Sequence, residues 1–243
     1  MTTPDTTNHD LLGWALEAWH RQPLNMRLRV LSDRFDTSHI HVAHFFRTYD
    51  EMPEIEKLAL NSCQGSILDI GAAAGCHSLA LKDQKKQVHP IDISPGAVRV
   101  MQALGLRNAR QLDFYEIKNE KYDTLLMLMN GIGISGTLAG LEKTLLQAKN
   151  LLTPGGCLIC DSSDIIYMLE QEDGSVMIDL SANYYGEVNF QFAYRNRKSE
   201  PFPWLYIHYE LLHEYATRFG FKCEKLADGD HYDYLAMLTQ EEK

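Results

Sequence analysis

Asp69, Asp92 and Asp113 each stand at the end of a short apolar run, the place where a strand hands its chain to a loop. The first of them opens a stretch of small residues, Asp69-Ile70-Gly71-Ala72-Ala73-Ala74-Gly75, after which a helical pattern begins near Cys76. Small residues let a backbone approach a ligand closely, and the start of a helix offers unpaired N–H groups to it. About 20 residues beyond Gly71, Ile91-Asp92-Ile93 places a carboxylate where it can accept hydrogen bonds from both hydroxyls of a ribose. The chemistry implied is the binding of a nucleoside-bearing cofactor. A dinucleotide loop would carry glycines at Gly71, Ala73 and Cys76, and two of those three are missing.

Other residues are candidates for acceptor chemistry. Arg47, in Phe45-Phe46-Arg47, can bind a carboxylate or be an exposed lid arginine. Tyr185 begins an aromatic stretch containing Phe190, Phe192, Phe202, Trp204 and Tyr206. These side chains suit a pocket wall, the packing face of a hairpin, or a homodimer interface. Tyr185 and Trp204 are the substrate-binding candidates there, beside Arg47. His39, His41 and His44 are read as surface or lid residues, because on a helix only His41 and His44 share a face. Cys157 and Cys160 fall three apart on an expected buried strand, so they point to opposite faces and are read as structural thiols; no metal site is expected.

Bulk properties narrow the partners. The formal charge of −10 weighs against gripping a nucleic-acid backbone, whose binding calls for a basic patch, and leaves a small molecule as the favoured partner. The one dense basic cluster, Arg195, Arg197 and Lys198, falls at an expected hairpin tip. Five scattered cysteines, the absence of a bilayer-length apolar run and a polar, acidic start without a signal or transit pattern lead to the expectation of a cytoplasmic protein without membrane contact.

The elements that position these residues follow from periodicity. Residues 1–62 are expected to form a helical cap or lid, with helices near 11–19, 24–35 and 40–49 and a short one reaching Leu60. Residues 63–243 form the cofactor-binding catalytic domain. Strands are expected at 66–70, 87–91, 109–112, 124–129 and 156–161, joined by helices except over the short, ambiguous stretch Asp113–Lys121, which implies a parallel sheet covered on both faces. Leu138, Leu141, Leu145, Ala148 and Leu152 mark the clearest of these helices. Residues 165–206 read as an inserted β-hairpin on the substrate side, and a helix near 209–219 leads to two terminal strands. The fold class is α/β: a three-layer, Rossmann-like fold with a mostly parallel seven-stranded sheet.

Asp69, Gly71, Ala73 and Gly75 resemble the D-x-G-x-G-x-G loop of the class I S-adenosylmethionine-dependent methyltransferases, with alanine for the middle glycine. Ile91-Asp92-Ile93-Ser94-Pro95, Asp113-Phe114, Tyr122-Asp123-Thr124 leading to Asn130-Gly131, and Leu152-Thr153-Pro154-Gly155-Gly156 follow in that family's order, from about Gln64 to Asp161. The resemblance implies S-adenosylmethionine as cofactor, held by Asp69, Gly71, Ala73, Gly75, Asp92, Ile93, Asp113, Phe114 and Asn130, with Asp92 on the ribose, Asp113 near the adenine and Phe114 beside its ring. Gly75 is expected to lie against the methionine portion and Asn130 beneath it. Asn130, Asp161 and Tyr185 are the catalytic candidates. Asn130-Gly131-Ile132-Gly133 lacks the prolines and aromatic of enzymes that methylate base amines, and no cysteine follows a proline as cytosine-C5 chemistry requires. The reading favoured is methylation of a small molecule; an RNA or protein acceptor, and a non-catalytic nucleotide-binding protein, stay open beside it.

Overall fold

The computed structural model describes residues 10–171, 173–177 and 183–240. Residues 1–9 of the expected cap and 178–182 of the expected insertion lie outside them. Asp10 caps the first helix, α1 (Leu11–Arg21), by accepting from the Gly13 N–H at 2.8 Å. Two strands come next, β1 (Arg27–Ser32) and β2 (Ser38–His41), where helices were expected. The reason is a period of two: Leu28 and Val30 are buried while Arg27 and Arg29 are exposed, and Ile40 opposite Leu28 lies between exposed His39 and His41. The N-terminal cap is thus mixed, helical in α1 and in single turns at Val42–Phe46 and Tyr49–Glu51. Helix α2 (Glu54–Ser62) packs Ile55, Ala59 and Leu60 against the core residues Ile67 and Leu126.

From there the chain alternates as expected: β3 (Ser66–Ile70), α3 (Cys76–Asp83), β4 (Gln87–Asp92), α4 (Pro95–Ala103), β5 (Arg110–Gln111), β6 (Tyr122–Met127), α5 (Leu138–Leu151) and β7 (Leu152–Ser163). The insertion supplies β8 (Glu187–Tyr194), β9 (Arg197–Lys198) and β10 (Phe202–Leu205) before α6 (Tyr209–Arg218), β11 (Phe221–Asp228) and β12 (Asp233–Gln240). The seven-stranded sheet runs β11-β12-β7-β6-β3-β4-β5, with β12 antiparallel to both of its neighbours and β3 to β7 parallel. After β5 the chain crosses to the far side of β3, so the crevice between β3 and β6 is the switch point at which open α/β sheets bind ligands. Leu68, Leu125 and Leu158 pack one face of this sheet with α5 and α6, while Ile67, Leu126 and Ile159 pack the other with α2 and α3. Cys160 belongs to the first layer and Cys157 packs against the second, the opposite-face placement expected, and neither is in a disulfide.

A second sheet, β10-β8-β1-β2 with β9 on β8, joins the N-terminal strands to the inserted hairpin. Neither segment forms it alone. Val30 pairs with Phe192 and Trp204 with Val188, so one face carries Val30, Val188, Phe190, Phe192, Phe202 and Trp204. Leu28 and Tyr194 bury that face against Ala73, Ala74 and Ala97, while Trp204 lies on the turn after β6. The sheet therefore roofs the carboxyl ends of the parallel strands. Among the described residues no helix is long and apolar enough to cross a membrane.

Candidate active site

The loop after β3 is held by backbone bonds from Gly71 and Ala72 N–H to the Ile91 carbonyl, both 3.0 Å. Gly71 has φ +71°, and a Cβ built on it would meet nothing within 4 Å. A side chain at this position would enter open space at the switch point, so the site has room for a ligand that touches the Gly71 backbone. Gly75 differs from expectation. Its φ is +83° and a Cβ would lie 2.6 Å from Leu106 Cδ1 and 2.9 Å from Met101 Cγ, so the demand for glycine here comes from packing of the protein itself. Ala73 adopts φ 50° and is buried beneath α1. Asp69 is buried beneath the loop, accepts from Ser78 Oγ at 2.6 Å, and burial pushes its carboxyl above the usual range. It is a strut for the loop with no surface of its own to offer.

Asp92 ends β4 with its oxygens on two backbone donors, Ala73 N–H and Ser94 N–H, each at 2.8 Å. Each oxygen keeps lone-pair capacity for one more donor, which is what a ribose diol supplies. Burial pushes its pKa up to about 6 against the pull of those two bonds. The small-residue loop with its open Gly71 and this twice-anchored carboxylate fit the adenosine half of S-adenosylmethionine. Ile93 is exposed, 68%, and free to flank a base. Asp113 is half-buried and caps the following turn by accepting from Tyr115 N–H at 2.9 Å. Phe114 departs from its expected place: it is 1% exposed, packed in the core with Ile91 and Leu125, and has no free face for an adenine.

At the end of β6, Met129 and Asn130 both take left-handed conformations, φ 66° and 55°. The Asn130 amide is occupied on both sides: its Nδ2 donates to the Leu205 carbonyl at 3.1 Å and its Oδ1 accepts from Ser162 Oγ at 3.0 Å. Ser162 Oγ in turn accepts from Ile207 N–H at 3.0 Å. Asn130 thus clamps the core to the roof sheet. Asp161 accepts from Gly131 N–H at 2.9 Å, and burial raises its pKa to about 6. Trp204 packs its indole against Gly133 in the same turn.

Arg47 sits elsewhere than an exposed lid. It is 8% exposed and its guanidinium pairs with Glu56, which also meets His77 Nε2 at 2.8 Å. Burial alone would raise Glu56, but hydrogen bonds from His77 and Arg47 bring it down to about 2. Arg47 Nη1 reaches the His44 carbonyl and lies 3.8 Å from Met129 Sδ, which ties the N-terminal segment to the end of β6. Nε of Arg47 is buried without a hydrogen-bond partner.

Two further groups escaped the sequence reading. Asp10 Oδ2 accepts from Ser94 Oγ at 2.9 Å and Gly96 N–H at 2.8 Å, so it caps α4 as well as α1 and pins the N-terminal helix to the Asp92 loop. A Cβ on Gly96 would lie 2.6 Å from Gly13 Cα; the two glycines let the helix backbones touch. His208 is the second. Tyr185 Oη donates to Asp164 Oδ1 at 2.7 Å and lies 3.2 Å from His208 Nδ1, which is also 2.7 Å from Tyr184 Oη. Tyr184, Tyr185, Asp164 and His208 thus form one half-buried cluster beyond the carboxyl end of β7. No sequence spacing marks it, because its members come from three separate loops.

No family model matches the chain. A solved structure of a SAM-dependent methyltransferase from Bacteroides fragilis, in complex with S-adenosyl-L-homocysteine, is 42% identical, covers 98% of both chains and superposes with a TM-score of 0.90. An S-adenosylmethionine-dependent methyltransferase from Clostridium acetobutylicum is 14% identical over 78% of this chain and 89% of that one, TM-score 0.56, and the sugar N-methyltransferase KedS8 from Streptoalloteichus sp. is 16% identical over 82% and 88%, TM-score 0.55; these two share the fold. The release factor glutamine methyltransferase of Rhodospirillum rubrum is 44% identical over 73 residues, a stretch that spans 27% of this chain and 21% of that protein.

Proposed function

Because the chain belongs to the S-adenosylmethionine-dependent methyltransferases of the class I, Rossmann-like type, we propose that its acceptor is a small molecule, held between the end of β7 and the roof sheet. The cofactor is S-adenosylmethionine, which supplies a methyl group already activated on a sulfonium. What remains for the protein is to align a nucleophile with that carbon and to exclude water. Gly71, Ala73, Asp92 and Ile93 form the cofactor side of the proposed site, with Asp113 at its rim. Asn130 and Asp161 shape the turn beneath the methyl end. Tyr185 and Trp204 flank the acceptor space, and Arg47 braces the wall behind Met129.

One observation carries the acceptor reading: the roof sheet turns a half-buried aromatic face, Phe190, Phe192, Phe202 and Trp204, toward the carboxyl ends of the strands. Enclosed, mostly aromatic walls with a few polar groups suit small ligands. The basic hairpin tip supports the same reading, since Arg197 lies over the Trp14 ring at 5.0 Å and Arg195 over Tyr194 at 5.4 Å, which directs both against the protein. The test is transfer of label from methyl-tritiated S-adenosylmethionine into a cell extract split into small-molecule, RNA and protein fractions. Label is expected in the first; label confined to RNA or protein overturns the reading.

A further inference from the structure

We infer that the protein carries a second ligand site, at the amino ends of its parallel strands, which takes a small molecule bearing a diphosphate group. Two clefts, of about 610 and 580 Å³, open there and share Arg107 and Asn108. Arg110, Glu120, Lys121 and Tyr122 line the first; Lys82 and Lys86 line the second. Each volume suits a small ligand. The whole chain has 33 acidic residues against 23 Lys and Arg, but these walls reverse that balance. Lys82, Lys86, Arg107, Arg110 and Lys121 meet a single carboxylate, Glu120. Cations gathered along a cleft raise the local concentration of anions.

The one carboxylate is already occupied. Arg110 Nη1 and Nη2 donate to the two Glu120 oxygens, each at 2.8 Å, and Tyr122 Oη donates to Oε2. Lys86 contributes charge alone, because its Nζ donates to the Leu60, Asn61 and Cys63 carbonyls at 2.7, 3.3 and 3.0 Å. Lys82 and Lys121 each hold one carbonyl, Gly105 at 2.9 Å and Leu152 at 3.0 Å, which fixes the ammonium and leaves N–H groups over for a ligand. Arg107 makes no hydrogen bond or ion pair among the described residues. The loop that carries it is nonetheless firm: Leu106 is buried, and Asn108 Nδ2 donates to the Val88 carbonyl at 2.7 Å. A free guanidinium on a fixed backbone suits the paired oxygens of a phosphoryl group. Because Arg107 belongs to both clefts, a phosphoryl group on it leaves room for a second beside it, on the side of Lys82 or of Lys121. A single carboxylate would leave most of the positive charge uncovered. Position separates this site from the one already described. Ser66, Gln87 and Tyr122 open β3, β4 and β6, whereas the cofactor side lies at the carboxyl ends. Along β4, Gln87 stands ~17 Å from Asp92 at ~3.3 Å per residue, so the ligand is neither the cofactor nor the acceptor.

Titration calorimetry tests this with inorganic pyrophosphate as the probe. The full-length protein is first saturated with S-adenosylhomocysteine, which keeps the probe out of the cofactor site, in about 0.15 M salt, where exposed charges are largely screened. One pyrophosphate per chain should bind with Kd below ~1 mM, and inorganic phosphate at least ~10-fold more weakly. Arg107→Ala should weaken pyrophosphate binding at least ~10-fold, and Arg107→Lys, which keeps the charge but loses the fork, should fall between it and the wild type. The Arg107 side chain is exposed, so neither variant should alter circular dichroism or the affinity for S-adenosylhomocysteine. Arg29→Ala, which removes an exposed arginine of the roof sheet, should bind pyrophosphate as the wild type does. No saturable binding up to ~10 mM pyrophosphate, phosphate binding as tightly as pyrophosphate, or equal losses in Arg29→Ala and Arg107→Ala overturns the inference.

Discussion

Binding of the cofactor should be linked to ionisation of Asp92. In the free protein its pKa stands at about 6, because burial outweighs the two backbone N–H bonds from Ala73 and Ser94. Two ribose hydroxyls donating to the remaining lone pairs stabilise the charged form and should return the group to about 4. The protonated fraction must then be discharged on binding. Affinity for S-adenosylhomocysteine should be flat above about pH 7, fall about tenfold by pH 5, and lose at most ~100-fold by pH 4, a span of ~2.7 kcal/mol. Near pH 5 about 0.8 proton should be released per complex, since about nine-tenths of the free carboxyls are protonated there against about one-tenth of the bound ones. Titration calorimetry in two buffers of different ionisation enthalpy counts that proton. Asp92→Asn should abolish the release and cost affinity, with circular dichroism to confirm folding, because one backbone N–H then faces the amide nitrogen. Asp161 also stands at about 6, so Asp161→Asn is the control and should leave the Asp92 component in place. Affinity independent of pH from about 8 to 5, or undiminished proton release in Asp92→Asn, refutes the assignment.

Three other perturbations read separate parts of the construction. Glu56→Gln leaves the buried guanidinium of Arg47 without its counter-charge and should cost about 3–5 kcal/mol in urea denaturation; because Glu56 titrates at about 2 when folded, below its ordinary 4.5, the wild-type contribution is complete above pH 4.5 and lost as pH falls toward 2, and the variant should lack that acid limb. Gly71→Ala should keep the fold within about 1–2 kcal/mol and lose S-adenosylhomocysteine binding, whereas Gly75→Ala should lower the melting temperature, since its Cβ meets Leu106 and Met101. Asp10→Ala removes the cap of α1 and the acceptor of the Gly96 N–H in α4, whose Ser94 cap remains, and should destabilise by roughly 1–3 kcal/mol, with faster hydrogen exchange in α1; unchanged exchange would mean that the helix is held by its apolar face alone.

The middle of the central sheet was legible because β3, β6 and the later part of β7 are short apolar runs that end in polar or glycine-rich turns, and because α5 repeats its leucines at helical spacing. Asp92 was legible for a local reason: a carboxylate at the end of β4, in register beside the β3 loop, needs no distant partner to be placed. The N-terminal strands were not read, although Leu28 and Val30 alternate with arginines, because β1 lies between its neighbour β2 and β8, and β8 is more than 150 residues away. Arg47 could be read only as a carboxylate binder or an exposed lid arginine, because its partner Glu56 lies on a helix whose buried face cannot be known before α3 brings His77 against it. Phe114 illustrates the opposite error: the motif order suggested a ring beside the adenine, whereas the single turn at Phe114–Glu116 directs the ring into the core.

The roof sheet would couple the two proposed sites. β1 lies between β2 and β8, so the N-terminal segment contributes an interior strand, and removing it would leave β8 with an open edge and its aromatic face without cover. That roof meets the core at contacts that are also cofactor-side or acceptor-side elements. Asp10 holds α1 to the loop of Asp92, Asn130 joins the end of β6 to Leu205 at the end of β10, and Arg47 reaches the side chain of Met129. Met129 and Asn130 occupy the left-handed region, at a cost near 1 kcal/mol each that the Asn130 hydrogen bonds offset. Any shift of the turn after β6 on cofactor binding therefore moves Trp204 against Gly133, and through Ser162 and Ile207 it moves the backbone that carries His208. The proposed cofactor loop and the proposed acceptor wall are consequently joined by these contacts, which is the mechanical condition for an acceptor pocket that would take its final shape only when the methyl donor is in place.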